Sequence, residues 1–500
     1  MGKPAQVFHL HKTPPVRRRP DHSLSARNFD RMTVEDLLAI VGLPLRQNLS
    51  MKRRVKKAIF RTAFLWFIMG TVGLAAWAQE TVTIDLSVDN GPATYRASGF
   101  LHGMDSTAPD GKIVNPVKGK LFRSGGDYDD PNTYARVVAL GATPEFILSD
   151  GWSGINGCYD NKGTCPGDAG KWTAWDSYVT TKVGNYFRAG KAFQYDIWNE
   201  PDTSVFWPRS ESQYHKMWQH AVNDIRAISP NIKIVGPTTC CESGGAGWGA
   251  WAKHLLAFAK TNNVLPDIVS FHENDTVALL VRDIAAAKAY LAAHDPGITG
   301  IEVNEMVGQA DDYLPGATVQ YLAAVERAQI SAAAHTCWRQ DCGNVKILSG
   351  LVAPDGVTIR AIWYAYQAYA NITGTIVGVT PSVTVDGVAG QDSTSHQAYA
   401  VFGRSHASGD KPKPKGKEKQ PSPSVTFTFN NISSASYLEA GDRVHAKVYT
   451  LSNDNGKGSP GPTLLSESNI TVLGNSISIS ISTMGINDVA IIQLTPGYTR

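Results

Sequence analysis

Residues 193–202 have the sequence FQYDIWNEPD, an aromatic-rich apolar run followed by Asn199, Glu200 and Pro201. Aromatic and β-branched residues favour a strand, and proline does not continue one. The stretch therefore predicts a strand over Phe193–Trp198 with a carboxylate just beyond its end. Segments with the spacing of amphipathic helices lie on both sides of it.

This alternation of strand and helix extends from about residue 95 to residue 373. The predicted strands are Ala97–Met104, Lys120–Ser124, Pro144–Leu148, Phe193–Trp198, Ile232–Gly236, Asp267–Phe271, Thr299–Asn304 and Ser331–Trp338. The predicted helices include Trp172–Ala189, Glu211–Ile228, Trp248–Thr261, Val277–Ala293, Ala317–Ala328 and Thr358–Tyr369. Eight strand-then-helix units over residues 95–373 imply a parallel sheet and favour a (β/α)8 TIM barrel. A doubly wound open sheet is the alternative, but no GxGxxG follows any of these strands.

After Gly374 the pattern changes to the period of two that is typical of strands in antiparallel sheets. The runs TIVGVT, AYAVF, SVTFTF, RVHAKVYTL, NSISISIS and DVAIIQL are separated by turn residues and predict a β-sandwich over residues 374–500. The run Thr81–Val88 alternates in the same way, so we expect residues 79–94 to add a strand at the sandwich edge. Residues 411–424 are rich in Lys and Pro and predict an exposed insert between strands.

Charge is distributed unevenly along the 500 residues. Residues 1–78 hold 14 of the 47 Lys and Arg but only 4 of the 44 Asp and Glu. Residues 79–500 therefore hold 33 basic and 40 acidic side chains. A net-acidic body is a poor candidate for nucleic-acid binding, which needs a basic surface.

Residues 51–78 have the organisation of a secretory signal peptide. Basic residues from Lys52 to Arg61 precede the uncharged run Thr62–Ala78, which ends in the small-x-small pattern Ala-Trp-Ala. A membrane anchor is the alternative, but a spanning helix needs about 20 apolar residues, so cleavage is favoured. We expect residues 1–50 to be a disordered upstream extension. The mature protein is expected to be secreted or periplasmic, without a stable membrane anchor.

Six cysteines fit an exported protein. The short loops Cys158–Cys165 and Cys337–Cys342 each begin and end with a cysteine, which predicts two short-range disulfides. Cys240 and Cys241 are adjacent, and the sequence leaves open whether they bond to each other or stay free. Metal binding is disfavoured because there is no CxxC and no nearby histidine at ligand spacing.

Two carboxylates lie where a barrel gathers its chemistry, at the C-terminal ends of the strands. Glu200 follows the fourth predicted strand, Glu305 follows the seventh, and these strands face each other across a barrel mouth. Retaining glycosidases need two carboxyl groups about 5–5.5 Å apart. One is a protonated acid with a raised pKa, and the other is an ionised nucleophile.

The motif IWNEP, with a second glutamate at the end of the seventh strand, resembles clan A of the retaining glycoside hydrolases. The resemblance implies that Asn199 binds a substrate hydroxyl, that Glu200 is the acid/base and that the strand-seven glutamate is the nucleophile. The clan pattern fits best in the register of Glu305, with Met306 replacing the usual aromatic residue. Glu302 is the reserve candidate for the nucleophile. Together with IWNEPD, the barrel-plus-sandwich layout resembles family 39, the β-xylosidase and α-iduronidase group.

Other residues at strand ends fit the same resemblance. The clan often has an arginine near the nucleophile, here Arg123, which would keep that carboxylate ionised. It commonly places a histidine or tyrosine after the sixth strand, here His272, and an aromatic sugar platform after the eighth, here Trp338. Trp152 and His102, after the third and first strands, are candidates to line the pocket.

These features predict a secreted retaining glycoside hydrolase that cleaves O-glycosidic bonds of plant or microbial glycans by double displacement. Its partner is an oligo- or polysaccharide, and the mechanism needs no metal or organic cofactor. The alternatives are a non-catalytic carbohydrate-binding protein on a glycosidase-like barrel, and a transglycosylase that uses the same residues.

Overall fold

The computed structural model describes residues 79–242, 247–295, 297–338, 342–406, 424–439 and 442–497. The described residues belong to one compact unit. The expected upstream extension and signal peptide, and the Lys/Pro-rich insert up to residue 423, lie outside them. Within the described ranges, no helix has both the length and the hydropathy to cross a bilayer.

Eight parallel strands close into a barrel, preceded in the chain by β1 (Glu80–Asp85). In chain order the barrel strands are β2 (Gly99–Leu101), β3 (Leu121–Ser124), β4 (Thr143–Ile147), β5 (Gln194–Asp196), β6 (Lys233–Thr239), β7 (Ile268–Glu273), β8 (Gly300–Met306) and β9 (Ala332–His335). Each overlaps one of the eight predicted runs, so the prediction of a TIM barrel is confirmed. The first is shorter than predicted because His102 and Gly103 have positive φ angles, 59° and 83°, which turn the chain out of the sheet.

Helices separate the barrel strands. The described ranges contain α1 (Gly111–Val114), α2 (Thr133–Ala139), α3 (Leu148–Asn156), α4 (Thr173–Arg188), α5 (Glu211–Ile228), α6 (Ala250–Thr261), α7 (Val277–His294), α8 (Pro315–Ala328) and α9 (Ala361–Ala370). Helix α5 has the predicted bounds because Ser210 caps it by accepting from the Gln213 N–H. Helix α9 begins later than predicted because Ile359 forms a β-bridge with Val352.

The remaining strands form a two-layer sandwich, which confirms the second part of the predicted fold class. They are β10 (Thr375–Ile376), β11 (Gly378–Thr380), β12 (Val385–Asp392), β13 (Gln397–Arg404), β14 (Val425–Asn430), β15 (Arg443–Leu451), β16 (Thr463–Thr471), β17 (Ser476–Ile481) and β18 (Val489–Pro496). One sheet has the order β11-β1-β14-β17 and the other β10-β12-β13-β18-β15-β16. Their inner faces pack together, as the rings of Phe402 and Phe427, 4.6 Å apart, illustrate.

The expectation that residues 79–94 join the sandwich edge is wrong in one respect. Strand β1 pairs with β11 antiparallel on one side and with β14 parallel on the other, so it is an inner strand. The sequence interpretation also missed β12 and β16. Strand β12 contains Gly387 and Gly390, and the side chains of β16 are mostly exposed, so neither shows a clear polar-apolar alternation.

Helix α8 joins the barrel to the sandwich through close backbone contacts. The Gly316 N–H donates to the Asn487 carbonyl at 2.9 Å, and the Gln320 side-chain amide donates to the Thr384 carbonyl at 2.8 Å. A Cβ on Gly316 would lie 2.3 Å from the Arg404 carbonyl oxygen, so only glycine permits this approach. The sandwich thus supports the barrel wall from outside.

Candidate active site

The barrel brings the two predicted catalytic carboxylates together. Glu200 follows β5, and Glu305 lies near the end of β8. One carboxylate oxygen of each residue and a ring nitrogen of His272 all lie within 4.8 Å of one another. This separation is close to the value of about 5–5.5 Å that a double-displacement glycosidase needs.

The backbone at Glu200 is held in an unusual conformation. Its φ angle of 43° is in the left-handed region, which a residue with a Cβ rarely adopts. The Glu200 N–H donates to the Thr238 carbonyl of β6 at 3.0 Å, and the preceding Trp198 is fully buried. The neighbouring strand and the packed indole of Trp198 therefore hold the backbone at Glu200 in place. Such strained positions cluster at functional sites.

His272, in β7, lies between the two carboxylates. Its Nδ1 is 2.9 Å from Oε1 of Glu200, and its Nε2 is 3.6 Å from Oε1 of Glu305. The side chain is fully buried, and this burial lowers the pKa of His272 to about 4. The imidazole is therefore neutral near pH 7, and it contacts both carboxylates without adding a full positive charge.

Arg123, at the end of β3, holds the opposite side of Glu305. Its Nη1 donates to Oε1 of Glu305 at 2.7 Å, and its Nη2 donates to Asp196 and to Oδ1 of Asn199, both at 2.6 Å. Arg123 is fully buried, and the surrounding carboxylates raise its pKa against the effect of burial. The guanidinium therefore holds Asn199 by its Oδ1 atom.

The carboxyl groups of Glu200 and Glu305 have different electrostatic surroundings. Burial, with the nearby charge of Asp202, raises the pKa of Glu200 to about 8. Burial also raises the pKa of Glu305, but the positive charge of Arg123 and its direct hydrogen bond oppose the rise. Because Arg123 hydrogen-bonds to Glu305, the surroundings favour a negative charge more on Glu305 than on Glu200, and an acid paired with a nucleophile needs this difference.

Glu302, the reserve nucleophile, lies in a polar layer inside the barrel. Its carboxylate accepts from the Gln194 amide at 3.0 and 3.2 Å, and it also hydrogen-bonds to Glu145. Burial and the charge of Glu145 hold the pKa of Glu302 well above its usual range. The site geometry therefore favours Glu305 over Glu302 as the group that meets a substrate.

A bulge in β8 explains why both glutamates point inward. Phe271 of β7 pairs with Val303 of β8, but the next residue, His272, pairs with Glu305 and not with Asn304. The register of β8 therefore shifts by one residue at this point. One extra residue reverses the alternation of side chains that follow it. Glu302 and Glu305, three positions apart, consequently both face the barrel interior.

Sequence reasoning missed the residues that support Arg123. Asp196 accepts from Arg123 and from the Thr238 hydroxyl, the latter at 2.8 Å. Glu145 lies 3.1 Å from Nε of Arg123, and Asn304 donates to Glu145 at 2.9 Å. The polar residues of β5 alternate with apolar ones, and this period of two was a signal that Asp196 faces inward.

Two other predicted site residues, His102 and Trp338, lie just beyond the ends of barrel strands. His102 follows β2, and its Nδ1 lies 2.8 Å from the Ser124 hydroxyl at the end of β3. Trp338 is half-buried after β9 and donates to the Val307 carbonyl at 2.8 Å, just beyond the end of β8. Both residues are therefore on the side of the barrel where Glu305 lies.

Trp152 does not line the site, contrary to the prediction. It lies in α3, is 3% exposed, and packs edge-on against Trp175 with ring centroids 5.3 Å apart. Its indole N–H donates to the Thr164 carbonyl. The prediction failed because α3 begins directly after β4, so Trp152 belongs to a packed helix instead of a mouth loop.

The structure pairs all six cysteines. Cys158 bonds to Cys165 and Cys337 to Cys342, as predicted, and the adjacent Cys240 and Cys241 bond to each other.

Among the described residues, two groups have donor atoms close enough to share a metal ion. One is Glu200 with Cys240 and Cys241, whose sulfurs are bonded together and so are not thiolate donors. The other is Glu200, His272 and Glu305. There the Arg123 guanidinium already hydrogen-bonds to Glu305, and its positive charge disfavours a divalent cation.

Comparison with known proteins gives matches to glycosidases. The model of the glycosyl hydrolases family 39 matches residues 163–295, which include Asn199, Glu200 and His272. A beta-xylosidase from Caldicellulosiruptor saccharolyticus is 28% identical over 83 residues, 16% of this chain and 16% of that protein. A 3-O-alpha-D-galactosyl-alpha-L-arabinofuranosidase from Bifidobacterium longum subsp. longum is 25% identical over 236 residues, 44% of this chain. The chain covers only 20% of that second relative.

Solved structures match over most of the chain. The structure of N2152 from Neocallimastix frontalis has a TM-score of 0.68 at 25% identity, covering 84% of this chain and 100% of that one. A monomeric beta-xylosidase from Caulobacter crescentus CB15 has a TM-score of 0.61 at 16% identity, covering 84% and 100%. The GH39 enzyme from Xanthomonas axonopodis pv. citri has a TM-score of 0.60 at 16% identity, covering 85% and 99%. The predicted resemblance to clan A and family 39 is confirmed, and these relatives support a glycosidase.

Proposed function

We propose that this protein is a secreted retaining glycoside hydrolase in which Glu200 is the acid/base and Glu305 is the nucleophile. The observation that carries the proposal is the approach of their carboxylate oxygens to within 4.8 Å beside His272. The relation to family 39 supports the same chemistry.

In the first step, the Glu305 carboxylate attacks the anomeric carbon while Glu200 gives its proton to the glycosidic oxygen. The bond between that oxygen and the anomeric carbon breaks, the leaving group departs as an alcohol, and a covalent glycosyl–enzyme forms. In the second step, Glu200 takes a proton from water, the water oxygen attacks the anomeric carbon, and Glu305 is released as a carboxylate.

The surrounding residues prepare both steps. Arg123 stabilises the ionised form of Glu305 and fixes its direction. Neutral His272 can accept the Glu200 proton in a hydrogen bond at Nδ1, which leaves its Nε2–H facing Glu305. Asn199 is held by Arg123 so that its NH2 group can donate to a hydroxyl of the sugar.

The substrate we propose is an oligosaccharide or polysaccharide of plant or microbial origin. A pentoside is the first sugar to test, because the names of the relatives include a beta-xylosidase and an arabinofuranosidase. His102 and Trp338 are the proposed pocket-lining residues outside the catalytic group.

Hydrolysis of a panel of aryl glycosides tests this function. The panel holds a xyloside, a glucoside, a galactoside, an arabinofuranoside and a glucuronide, with Glu200→Ala measured beside the native protein. We expect release from at least one substrate and a product whose first-formed anomer, followed by NMR, matches the substrate. In the variant we expect loss of steady-state turnover, because Glu200 also activates the water of the second step. An inverted product would contradict the double displacement, and binding without turnover would favour a carbohydrate-binding protein. Transfer to an added sugar in preference to water would identify a transglycosylase.

Secretion is part of the proposal and rests on separate observations. Residues 51–78 have the pattern of a signal peptide, and three disulfides suit an oxidising compartment. N-terminal sequencing of protein recovered outside the cytoplasm is expected to start at Gln79. Recovery of the uncleaved chain in the cytoplasm alone would contradict export.

A further inference from the structure

The disulfide between Cys240 and Cys241 lies directly beside the acid/base. The two cysteines follow β6, the neighbour of β5 in the barrel, and Glu200 follows β5. An oxygen of the Glu200 carboxylate and both sulfur atoms lie within 4.8 Å of one another. Cys240 is buried and Cys241 is exposed, so the disulfide extends from the core to the mouth of the site.

Glu200 belongs to two clusters of side chains whose donor atoms lie within 4.8 Å of one another. With His272 and Glu305 it forms the first cluster, and with the two cysteines it forms the second. In the proposed reaction, the anomeric carbon must meet Glu305, while the glycosidic oxygen must come within hydrogen-bond reach of Glu200. The part of the substrate beyond that oxygen then extends away from Glu305. The second cluster shares Glu200 and so lies beside the position of that glycosidic oxygen.

Asp202 of the IWNEPD motif holds the disulfide in this position. Asp202, two residues after Glu200, accepts from the Cys240 N–H at 3.0 Å and from the Cys241 N–H at 2.8 Å. The acid/base and the disulfide are therefore tied to one turn. A glycosidic oxygen that is hydrogen-bonded to Glu200 therefore lies near the two sulfur atoms.

A disulfide has a polarisable, apolar surface and no hydrogen to donate. Sulfur makes favourable contacts with rings, and sugars present apolar C–H faces in the same way as they do to aromatic side chains. We propose that the Cys240–Cys241 disulfide is the contact surface for the ring of the leaving group, and that it sets a preference for substrates whose leaving group is a sugar or aryl ring. This inference rests on the proposed function and adds a specificity determinant to it.

The test compares two substrates that carry the same sugar, an aryl glycoside and a glycosyl fluoride. Fluoride is a leaving group without a ring, so it cannot use the contact. The double variant Cys240→Ser/Cys241→Ser is expected to raise KM for the aryl glycoside roughly tenfold, the scale of a lost apolar contact in a pocket. Its kcat/KM for the fluoride is expected to stay within about twofold of the native value.

A matched control removes a different disulfide. The variant Cys158→Ser/Cys165→Ser loses a bond of the same kind in another loop, and the ratio of its kcat/KM values for the two substrates is expected to stay native. Thermal unfolding of all three proteins separates a general loss of folded protein from the specific change in KM.

Three results would overturn the inference. Alkylation of Cys240 and Cys241 in the unreduced native protein, measured by peptide mass spectrometry, would show that the bond is absent. An unchanged KM for the aryl glycoside, or an equal loss on both substrates, would show that the disulfide does not contact the leaving group. Inactivity of the native protein on both substrates would instead overturn the proposed function, and the leaving-group assignment with it.

Discussion

Arg123 and Glu305 form a buried ion pair, with Nη1 of the guanidinium 2.7 Å from Oε1 of the carboxylate. Arg123 is fully buried, and Glu305 is only 8% exposed. A charge-assisted hydrogen bond in such a site is shielded from water and favours the ionised form of the carboxylate. The pair supports the different roles that we propose for Glu305 and Glu200.

Arg123→Lys is expected to shift the acidic limb of the kcat/KM profile to higher pH. The nucleophile acts when it is ionised, so activity is lost as the pH falls through its pKa. A lysine cannot reproduce the forked hydrogen bonds to Glu305, Asp196 and Asn199, so the pKa of Glu305 rises. A pH profile with a limb at the native position would contradict the assigned role of Arg123.

The basic limb of the same profile should reflect Glu200. Since the pKa of Glu200 is raised to about 8, kcat/KM is expected to fall as the pH rises through that value and the acid loses its proton. Glu200→Ala should lower kcat/KM for a substrate with a poor leaving group by about 10²–10⁴-fold. With an activated leaving group, which needs no acid, the variant should keep most of the glycosylation rate and lose the basic limb.

Glu302→Gln is expected to retain activity within about threefold and to unfold at nearly the native temperature. The raised pKa of Glu302 favours its protonated form, which can donate to Glu145, and a glutamine NH2 group can do the same. Glu302→Ala should destabilise the protein by about 1–3 kcal/mol, because Gln194 and Glu145 lose their partner. Inactive but folded Glu302→Gln, beside active Glu305→Gln, would move the nucleophile to Glu302.

Gly316→Ala should destabilise the contact between barrel and sandwich. The new Cβ would lie 2.3 Å from the Arg404 carbonyl oxygen and 2.7 Å from the Asn487 backbone, so the helix or the strand must move. We expect a cost of about 1–3 kcal/mol in unfolding free energy. Gly154→Ala is the matched control, because a Cβ in that exposed helical position meets nothing within 4 Å and should stabilise the helix by about 0.5–1 kcal/mol. Equal unfolding temperatures for the two variants would contradict this account.

Much of the fold could be predicted from local pattern. Apolar runs and helical spacing gave every barrel strand, and the period of two gave most of the sandwich. The inner position of β1 could not be read in this way, because it depends on pairing with β11 and β14, which are far away in sequence. Trp152 was misplaced for a related reason: an aromatic residue just after a strand can belong to a mouth loop or to the next helix.

The site was predictable in its chemistry and less so in its geometry. Residue type and strand position singled out Glu200, Glu305 and Arg123, which the structure brings together. The clan pattern favours Glu305 over Glu302, but no local pattern in the sequence marks the bulge in β8 that turns both side chains inward. The proximity of Cys240 and Cys241 to Glu200 could not be predicted from local pattern either, because it arises only when β5 and β6 lie side by side.

Covalent trapping of the nucleophile shows whether Glu305 forms the glycosyl–enzyme. The protein would be incubated with a 2-deoxy-2-fluoroglycosyl fluoride of the sugar that it hydrolyses, then digested and mapped by mass spectrometry. We expect one adduct, on Glu305, together with loss of activity that recovers as the adduct is hydrolysed. An adduct on Glu302, or continued turnover of the native substrate with no adduct on any glutamate, would contradict the role of Glu305 as the nucleophile.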